Sequence, residues 1–273
     1  MTDFWTDILT FAQTTTARVG DYLLTQFGQV QASRKPDGSL VTQADQWADK
    51  ELREAIAATF PSHGVLTEET EHVFHGSQWC WVIDPLDGTT NFTRGIPVWG
   101  ISLGLLYKGT PVFGYVHFPP LGQSFHGFYQ ELPITDYPLP KTGAFLNNRP
   151  IHTSPDAPSQ NHVFSLCARS TDVMKQPFPC KIRMLGVASY NFLAVASGAA
   201  LGAVEATPKI WDLAAVWVIL QAAGGAWVSL SKEPIFPLQA LKNYASCSLP
   251  TLVASRAELV PEFKPFVEFL GNG

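Results

Sequence analysis

The chain has 273 residues, a formal net charge of −5 and no block of consecutive basic residues, which argues against a broad cationic face for nucleic acid. Its four cysteines are widely separated and form no C-x-x-C pair, which argues against a zinc site or a disulfide framework and fits a reducing cytoplasm. The amino-terminal segment 1–7 is acidic and lacks the features of a secretory signal, so we expect the mature chain to begin there.

Two helices are predicted at the start of the chain. Apolar residues recur at near-helical spacing over residues 4–27, and a glycine follows at position 28. Residues 36–39, Pro-Asp-Gly-Ser, predict a turn. Thr42 and Asp45 then have the spacing of a capping box, which predicts that a second helix begins here and ends before Pro61.

The next segments favour strands. Residues 65–69 form a short strand candidate that ends in carboxylates. Residues 79–83 are aromatic and β-branched, which predicts a buried strand that Asp84 and Pro85 end. Residues 98–129 are β-rich and turn at Lys108-Gly109, so we expect antiparallel strands.

The second half alternates helices and strands. Residues 131–160 are rich in proline and polar residues, which predicts a loop-heavy connection and divides a single domain, residues 1–273, into sub-halves of about 1–145 and 146–273. Helices are predicted at 188–197 and 213–223, with a strand at 201–206 between them. The apolar run 213–227 is too short to cross a bilayer comfortably and predicts a core helix, so we expect no membrane partner. The pattern indicates a layered α/β fold.

One motif combines features of metal and phosphate binding. Residues 84–92 read Asp-Pro-Leu-Asp-Gly-Thr-Thr-Asn-Phe and directly follow the predicted strand, where ligands commonly bind in α/β sheets. Its two carboxylates suit a hard cation such as Mg²⁺, and the N–H groups of residues 88–90 favour an anion. Asp-Pro and Asp-Gly are also ordinary turn dipeptides, so this motif alone leaves both interpretations open.

Four segments together resemble the inositol monophosphatase family of Mg²⁺-dependent, lithium-sensitive phosphatases. They are Lys35 with residues 40–45, then Thr67-Glu68-Glu69, then residues 84–92, then residues 211–215 (Trp-Asp-Leu-Ala-Ala). The resemblance covers nearly the whole chain, including Gly-Ala-Phe-Leu-Asn at 143–147. It implies a layered α-β-α-β-α fold, hydrolysis of a phosphate monoester, and a homodimer. Thr67 and Ile210 depart from the family pattern without removing a ligand.

The resemblance also implies a metal site and a catalytic set. The side chains of Glu68, Asp84, Asp87 and Asp212 and the Leu86 carbonyl match the ligands of two to three Mg²⁺ ions, and Asp45 matches an aspartate beside the most weakly held ion. Glu68 and Thr89 match the residues that activate the attacking water, and Asp87 completes the catalytic set as a ligand of the metal near the leaving oxygen.

Substrate contacts follow from the same resemblance. Gly88, Thr89 and Thr90 match the turn that contacts phosphate, and Lys35 matches a loop residue near it. Ala188 and Glu205 match positions that contact the rest of the substrate, with Glu205 accepting hydrogen bonds from its hydroxyls.

Several of these positions have a structural alternative. Asp45 could be only the capping-box partner of Thr42, and Asp212 could cap the following helix. Glu205 lies in an apolar strand, where a carboxylate needs either a functional partner or a salt bridge. His72 and His75 are three residues apart, but the sequence favours surface positions over metal ligands.

The sequence therefore predicts a cytoplasmic Mg²⁺-dependent phosphatase, with inositol 1-phosphate as the favoured substrate. Histidinol phosphate, fructose 1,6-bisphosphate and 3′-phosphoadenosine 5′-phosphate are the alternatives within the family. A bisphosphate needs a second cationic site, for which the segment 171–183 offers Lys175, Lys181 and Arg183. A hypothesis of another class is a protein-binding regulatory factor in which catalysis is incidental.

Overall fold

The computed structural model describes residues 3–35, 38, 40–130, 134, 137–138, 140–171, 175 and 177–267. The described residues form helices α1 (Phe4–Gln26), α2 (Gln43–Thr59), α3 (Thr89–Thr93), α4 (Ala188–Ala196), α5 (Ile210–Ala222) and α6 (Val260–Phe263). They form strands β1 (Ser33–Arg34), β2 (Leu40–Val41), β3 (Gly64–Thr67), β4 (Trp79–Asp87), β5 (Gly100–Tyr107), β6 (Thr110–Phe118), β7 (Gln123–Phe128), β8 (Gly143–Leu146), β9 (Arg149–Ile151), β10 (Val163–Leu166), β11 (Lys181–Arg183), β12 (Gly202–Glu205), β13 (Ala226–Ser229) and β14 (Thr251–Ala254). The turn predicted at 36–39 lies largely outside the described residues.

The outermost layer consists of α1 and α2, which pack on one face of the first sheet. The chain leaves α1 through Gly28, whose φ of 72° is a conformation that glycine adopts at little cost. α2 begins with the predicted capping box, in which Thr42 and Asp45 satisfy each other's backbone N–H groups. Both predicted helices are confirmed to within about two residues.

The first sheet has seven strands in the order β3-β4-β5-β6-β7-β8-β9. The predicted hairpin is confirmed: β5 and β6 are antiparallel, and the turn has Lys108 at φ 50° and Gly109 at φ 82°, the positive values that a two-residue hairpin turn needs. The expectation of an irregular segment over 131–160 is wrong in part, because β8 and β9 form a hairpin at the sheet edge. The predicted division near residue 145 falls within β8; the two sub-halves stay a prediction.

β4 differs from its prediction in a way that builds the site. Asp84 and Pro85 do not end the strand, which continues to Asp87 and is buried along its whole length. Side chains three positions apart on a regular strand point to opposite faces. The register with β5 shifts between Asp84 and Asp87, and such a bulge re-aims side chains and tolerates a proline without an N–H to donate. The bulge explains how both carboxylates reach one cavity.

The middle layer contains α4 and α5, and α5 fits closely against the first sheet. Gly104, Gly114 and Gly127 are register partners on β5, β6 and β7, so they form a row across the sheet. A Cβ added to Gly114 would lie 2.2 Å from the Ala215 carbonyl oxygen, and the other two glycines meet α5 at 2.9–3.0 Å. The row of glycines therefore sets the distance between α5 and the sheet. α5 begins at Ile210, three residues earlier than predicted.

The last two layers are the second sheet and α6. The sheet has five strands in the order β11-β10-β12-β14-β13, and α4 and α5 pack between it and the first sheet. A separate apolar cluster, which includes Phe164, Leu252 and Phe263, fills the space between the second sheet and α6. The predicted five-layer fold is confirmed. Among the described residues, none of the helices combines the length and the apolar character needed to span a bilayer.

Candidate active site

The predicted site residues gather at one cavity of about 680 Å³. Its walls come from the β1–β2 region, the end of β3, the end of β4, the start of α3 and the start of α5. Nine of the residues singled out from the sequence line it: Lys35, Glu68, Asp84, Leu86, Asp87, Gly88, Thr89, Thr90 and Asp212. Segments more than 170 residues apart along the chain thus meet at one place.

Three carboxylates, those of Asp84 and Asp87 buried and that of Asp212 half-buried, form the centre of this cavity. Asp84, Asp87 and Asp212 each offer an oxygen, and these oxygens all lie within 4.8 Å of one another. Three hard oxygen ligands at this separation are the donor set that divalent cations such as Mg²⁺ and Mn²⁺ take from proteins. The three aspartates could therefore hold a metal ion.

Backbone N–H groups orient each of the three carboxylates. Asp84 Oδ1 accepts a hydrogen bond from the Leu86 N–H at 3.0 Å. Asp87 Oδ2 accepts one from the Ser189 N–H, in the first turn of α4, at 2.9 Å. Asp212 Oδ2 accepts one from the Lys209 N–H at 2.7 Å, because Asp212 is the third residue of α5 and caps it from inside. The capping alternative for Asp212 is thus observed, and it is compatible with metal binding.

The electrostatics of the three carboxylates also fit a cation. Burial and repulsion from Glu68 and from neighbouring aspartates raise the pKa values of Asp84 and Asp212 well above the ordinary range. Burial raises the pKa of Asp87 to about 6, although hydrogen bonds from Ser189 partly oppose the effect. A divalent cation relieves this repulsion and favours the charged form of all three groups.

Glu68 lies beside this cluster with a basic partner. Lys35 Nζ contacts Glu68 Oε1 at 2.8 Å and Glu69 Oε1 at 2.6 Å. Burial lowers the pKa of Lys35, but attraction to the two glutamates outweighs burial and leaves it above its ordinary value. The Glu68 carbonyl oxygen is 2.8 Å from His72 Nε2, so His72 lines the cavity instead of lying on a remote surface.

The turn after β4 joins the cavity to α2. Gly88 has φ 96°, and a Cβ there would also lie 2.7 Å from Val187, so both conformation and space call for glycine. α3 begins at Thr89, and the first N–H groups of a helix have no partner within it. The Thr89 hydroxyl donates to Asp45 Oδ1 at 3.0 Å. Asp45 itself lies behind the cavity wall, and burial raises its pKa to about 6.

A smaller cavity of about 390 Å³ adjoins the first one. The two share Thr90, Arg169, Gly186, Thr207 and Asp212, so a molecule bound at the carboxylates can extend into the smaller cavity. Ala188 and Glu205, both expected to contact the substrate, line the smaller cavity. Glu205 is 5% exposed, and burial raises its pKa to about 7, while the Asn191 amide donates to it at 2.6 Å.

Several residues of these walls are absent from the sequence-based prediction, among them two basic side chains and one amide. Arg169 lies on a short 3₁₀ turn and lines both cavities, Lys209 lines the larger one, and Asn191 lines the smaller one. The sequence offered a signal for Asn191, since it is a polar residue directly before the apolar segment 192–196 of a predicted helix. Arg169 had none. Of the basic residues expected near the substrate, Lys175, Lys181 and Arg183, none lines either cavity as far as the described residues extend, and residues 172–174 and 176 of that segment lie outside them.

Comparison with known proteins identifies the family of this chain. The model of the inositol monophosphatase family matches residues 5–261. The chain belongs to this family. A histidinol-phosphatase from Chlorobaculum parvum is 31% identical over 220 residues, which are 76% of this chain and 80% of the relative. A fructose-1,6-bisphosphatase/inositol-1-monophosphatase from Aquifex aeolicus is 30% identical over 230 residues, 79% of this chain and 82% of the relative.

Solved structures agree with the family assignment. The inositol monophosphatase structure from Thermotoga maritima superposes with a TM-score of 0.78 at 27% identity, covering 97% of this chain and all of the other. Membership of the inositol monophosphatase family identifies the chain as a phosphatase of phosphate monoesters. The names of the relatives divide between different phosphate esters, so family membership does not fix the substrate.

Proposed function

We propose that this inositol monophosphatase family member is an Mg²⁺-dependent phosphatase of inositol 1-phosphate. The observation that carries the proposal is that three clustered carboxylates and the glycine-threonine turn line one cavity, and that this cavity continues into a second. The larger cavity suits metal and phosphate, and the smaller cavity suits a polyol. Two to three Mg²⁺ ions would be held by Asp84, Asp87, Asp212, Glu68 and the Leu86 carbonyl. Asp45 would lie near the most weakly held ion, and it accepts a hydrogen bond from Thr89.

The need for charge neutralisation favours this assignment. A phosphate monoester dianion repels an attacking nucleophile, and its uncatalysed hydrolysis is among the slowest reactions, with enzymatic accelerations of up to about 10²¹-fold. Mg²⁺ held by these carboxylates would supply a water of lowered pKa and would neutralise charge on the phosphoryl group and the leaving oxygen. The chain's own residues must then orient the water, the phosphate and the alcohol.

On this proposal two side chains, those of Thr89 and Glu68, orient the attacking water. The Thr89 hydroxyl lies on the cavity wall and is fixed by Asp45 and by the Leu86 carbonyl at 3.2 Å. Glu68 directly follows β3, the strand beside β4, and its carboxylate is available to accept a proton from water when Lys35 pairs with Glu69 instead. On this proposal Asp87 acts only as a ligand that keeps its charge.

The phosphate would bind at the turn of residues 88–90. The backbone N–H groups at the start of α3 face an anion favourably, and Lys35 adds a positive charge on the same wall. This position puts the ester oxygen toward Asp212, which the two cavities share. The alcohol then extends past Ala188 to Glu205, whose carboxylate can accept hydrogen bonds from polyol hydroxyls.

One observation favours a second candidate substrate class. Arg169 lines both cavities, and within the described part of the chain it has no carboxylate within ion-pair distance; its guanidinium contacts the Thr207 hydroxyl. An ester with a second anionic group, such as fructose 1,6-bisphosphate, could place that group on Arg169. Histidinol phosphate and 3′-phosphoadenosine 5′-phosphate remain further alternatives within the family.

The proposal extends to a homodimer and a cytoplasmic location. The resemblance supports a homodimer, which analytical ultracentrifugation of the purified protein can test. The four cysteines, all within the described residues, are free thiols, which supports a reducing compartment such as the cytoplasm. Fractionation of cells that express the tagged protein tests the location.

The decisive experiment measures phosphate release from inositol 1-phosphate, histidinol phosphate, fructose 1,6-bisphosphate and 3′-phosphoadenosine 5′-phosphate. Each ester is assayed with Mg²⁺, with chelator and with added lithium. We expect chelator-sensitive, lithium-inhibited turnover that is fastest with inositol 1-phosphate. A faster rate with another ester would replace the substrate but keep the mechanism. Turnover that persists after chelation would overturn the metal assignment, and silence with folded, metal-binding protein would favour a regulatory partner role.

A further inference from the structure

The smaller cavity contains a buried polar group that the proposed chemistry does not use. Asn191 lies in the first half of α4, is 1% exposed and lines this cavity beside Glu205. Its side-chain Nδ2 donates to Glu205 Oε1 at 2.6 Å. Its Oδ1 has no hydrogen-bond partner among the described residues. A buried carbonyl oxygen without a partner costs free energy, so it calls for an explanation.

The orientation of this amide follows from chemistry. A carboxylate oxygen can only accept, so at 2.6 Å an ionised Glu205 requires the NH₂ end of Asn191 on its side. The carbonyl end is then left for another donor. Val187 and Ala188 line the cavity with apolar side chains, and although Thr90, Arg169 and Thr207 also line it, none of these three donates to Oδ1. A ligand that enters the cavity can supply the missing donor.

α4 links this amide to the metal site. The Ser189 N–H in its first turn holds Asp87, and Asn191, two residues later, holds Glu205. One helix therefore fixes the distance between a metal ligand and the groups around the leaving alcohol. Glu205 and Asn191 Oδ1 together form a pair of adjacent acceptors at the end of the cavity.

We propose that Asn191 is a specificity-determining residue: its Oδ1 accepts a hydrogen bond from the leaving alcohol while its amide holds Glu205 in position. The pair selects alcohols that present two neighbouring hydrogen-bond donors, as a vicinal diol does. This inference rests on the proposed phosphatase function. It adds a requirement on the substrate that the metal and phosphate groups do not impose.

The test compares two esters that differ only in donors. Inositol 1-phosphate and cyclohexyl phosphate share a six-membered ring and an ester, but only the first carries hydroxyls. We expect the wild-type protein with Mg²⁺ to show a kcat/KM at least about 10-fold higher for inositol 1-phosphate, since a site built to pair polar groups discriminates against an analogue that lacks them. Equal kcat/KM for the two esters would overturn the inference and leave the phosphatase standing.

Two substitutions assign the preference to Asn191. Asn191→Leu removes both polar ends, and Asn191→Asp keeps the size but replaces the donor to Glu205. Each should lower kcat/KM for inositol 1-phosphate by about 10- to 100-fold, mainly through KM, and leave cyclohexyl phosphate within about threefold. The exposed control Asn161→Leu should change neither. An equal loss with both esters would show a merely structural role and overturn the inference.

The two hypotheses fail in different ways. A third ester, p-nitrophenyl phosphate, has no hydrogen-bond donor on its leaving group. If the wild-type protein hydrolyses none of the three esters, both the proposed function and this inference are wrong. If the protein hydrolyses p-nitrophenyl phosphate and cyclohexyl phosphate as well as inositol 1-phosphate, only the inference fails. If Asn191→Leu does not fold, Asn191→Asp and the wild-type comparison of the two ring esters still decide.

Discussion

Thr89 and Asp45 are 44 residues apart, and the hydroxyl of the first donates a hydrogen bond to Oδ1 of the second at 3.0 Å. The other oxygen of Asp45 accepts from the N–H of Thr42 at 2.7 Å and from its hydroxyl at 2.5 Å. One carboxylate thus caps α2 and fixes the hydroxyl proposed to orient water. The capping role of Asp45 is confirmed, while its role beside a metal stays a prediction.

The first prediction concerns this cap. Thr42→Ala removes the hydroxyl that accepts from the Ala44 and Asp45 N–H groups, so the free energy of unfolding should fall by about 1 kcal/mol. Urea denaturation followed by circular dichroism measures the loss. Thr10→Ala, at an exposed position of α1, should change stability by less than about 0.5 kcal/mol. Equal stability of the two variants would contradict the energetic role of the cap.

The second prediction concerns the carboxylate cluster. Asp87→Asn keeps the size of the side chain but removes a charged ligand, so kcat should fall by about 100-fold or more while the protein stays folded. Steady-state kinetics with Mg²⁺, together with a thermal melt, measure both. The exposed Asp21→Asn serves as the control. Near-normal turnover by a well-folded Asp87→Asn protein would contradict the metal assignment.

The third prediction concerns pH. Burial raises the pKa of Glu205 from an ordinary 4.5 to about 7, so the folded protein binds this proton more tightly than the unfolded chain does. The resulting stability is fully present below about pH 4.5 and is lost as the pH rises through about 7. Urea denaturation at pH 5 and pH 8 should therefore show a smaller fall for Glu205→Gln than for the wild type, by about 1–3 kcal/mol. Parallel falls would show that Glu205 does not titrate in this range.

The fourth prediction concerns the row of glycines. Gly114→Ala places a methyl group against the Ala215 carbonyl, so α5 must move and the free energy of unfolding should fall by about 3 kcal/mol. Gly143→Ala in β8 is the matched control: its Cβ would lie 3.2 Å from the Phe145 ring and 3.9 Å from the Lys141 carbonyl oxygen, and it should cost less than about 1 kcal/mol. Chemical denaturation compares them. A Gly114→Ala protein as stable as the control would refute the close approach.

The fifth prediction concerns the second cationic site. Arg169→Met should lower kcat/KM for fructose 1,6-bisphosphate by about 10-fold, because a charged hydrogen bond to the second phosphate is lost, and inositol 1-phosphate should change by less than about threefold. Lys181→Met removes a charge on an exposed strand away from both cavities and should affect neither ester. A uniform loss of kcat/KM with both esters would show that Arg169 supports the structure of the site and does not determine its selectivity.

The carboxylates of the candidate site could be identified from the sequence because their signals are local. Thr42 and Asp45 have capping-box spacing, and the motif at 84–92 carries its metal and phosphate residues within nine positions. The resemblance supplied Glu68 and Asp212. The orientation of Asp87 could not be predicted, since the bulge that turns it depends on the register between β4 and β5.

Residues brought in by tertiary contacts were harder to find. Arg169 lies on a short turn in an irregular segment, and nothing in its neighbours distinguishes it from a solvated surface arginine. The β8–β9 hairpin lies in a proline-rich stretch whose composition favours loops, and pairing with β7 overrides that preference. The start of α5 at Ile210 was missed because Lys209 is an unusual N-cap residue, and the internal cap by Asp212 compensates for it.

The glycines beneath α5 have a consequence for how this protein can diverge. α5 carries Asp212 at its first turn and contacts the backbones of three strands with almost no clearance, so its position relative to Asp84 and Asp87 cannot be adjusted by small changes of side-chain volume. The walls of the smaller cavity come mainly from turns and from α4, which lie outside this row of glycines. Engineering a new substrate preference should therefore succeed by changes at positions such as 169 and 191, while the strand surface under α5 stays as it is.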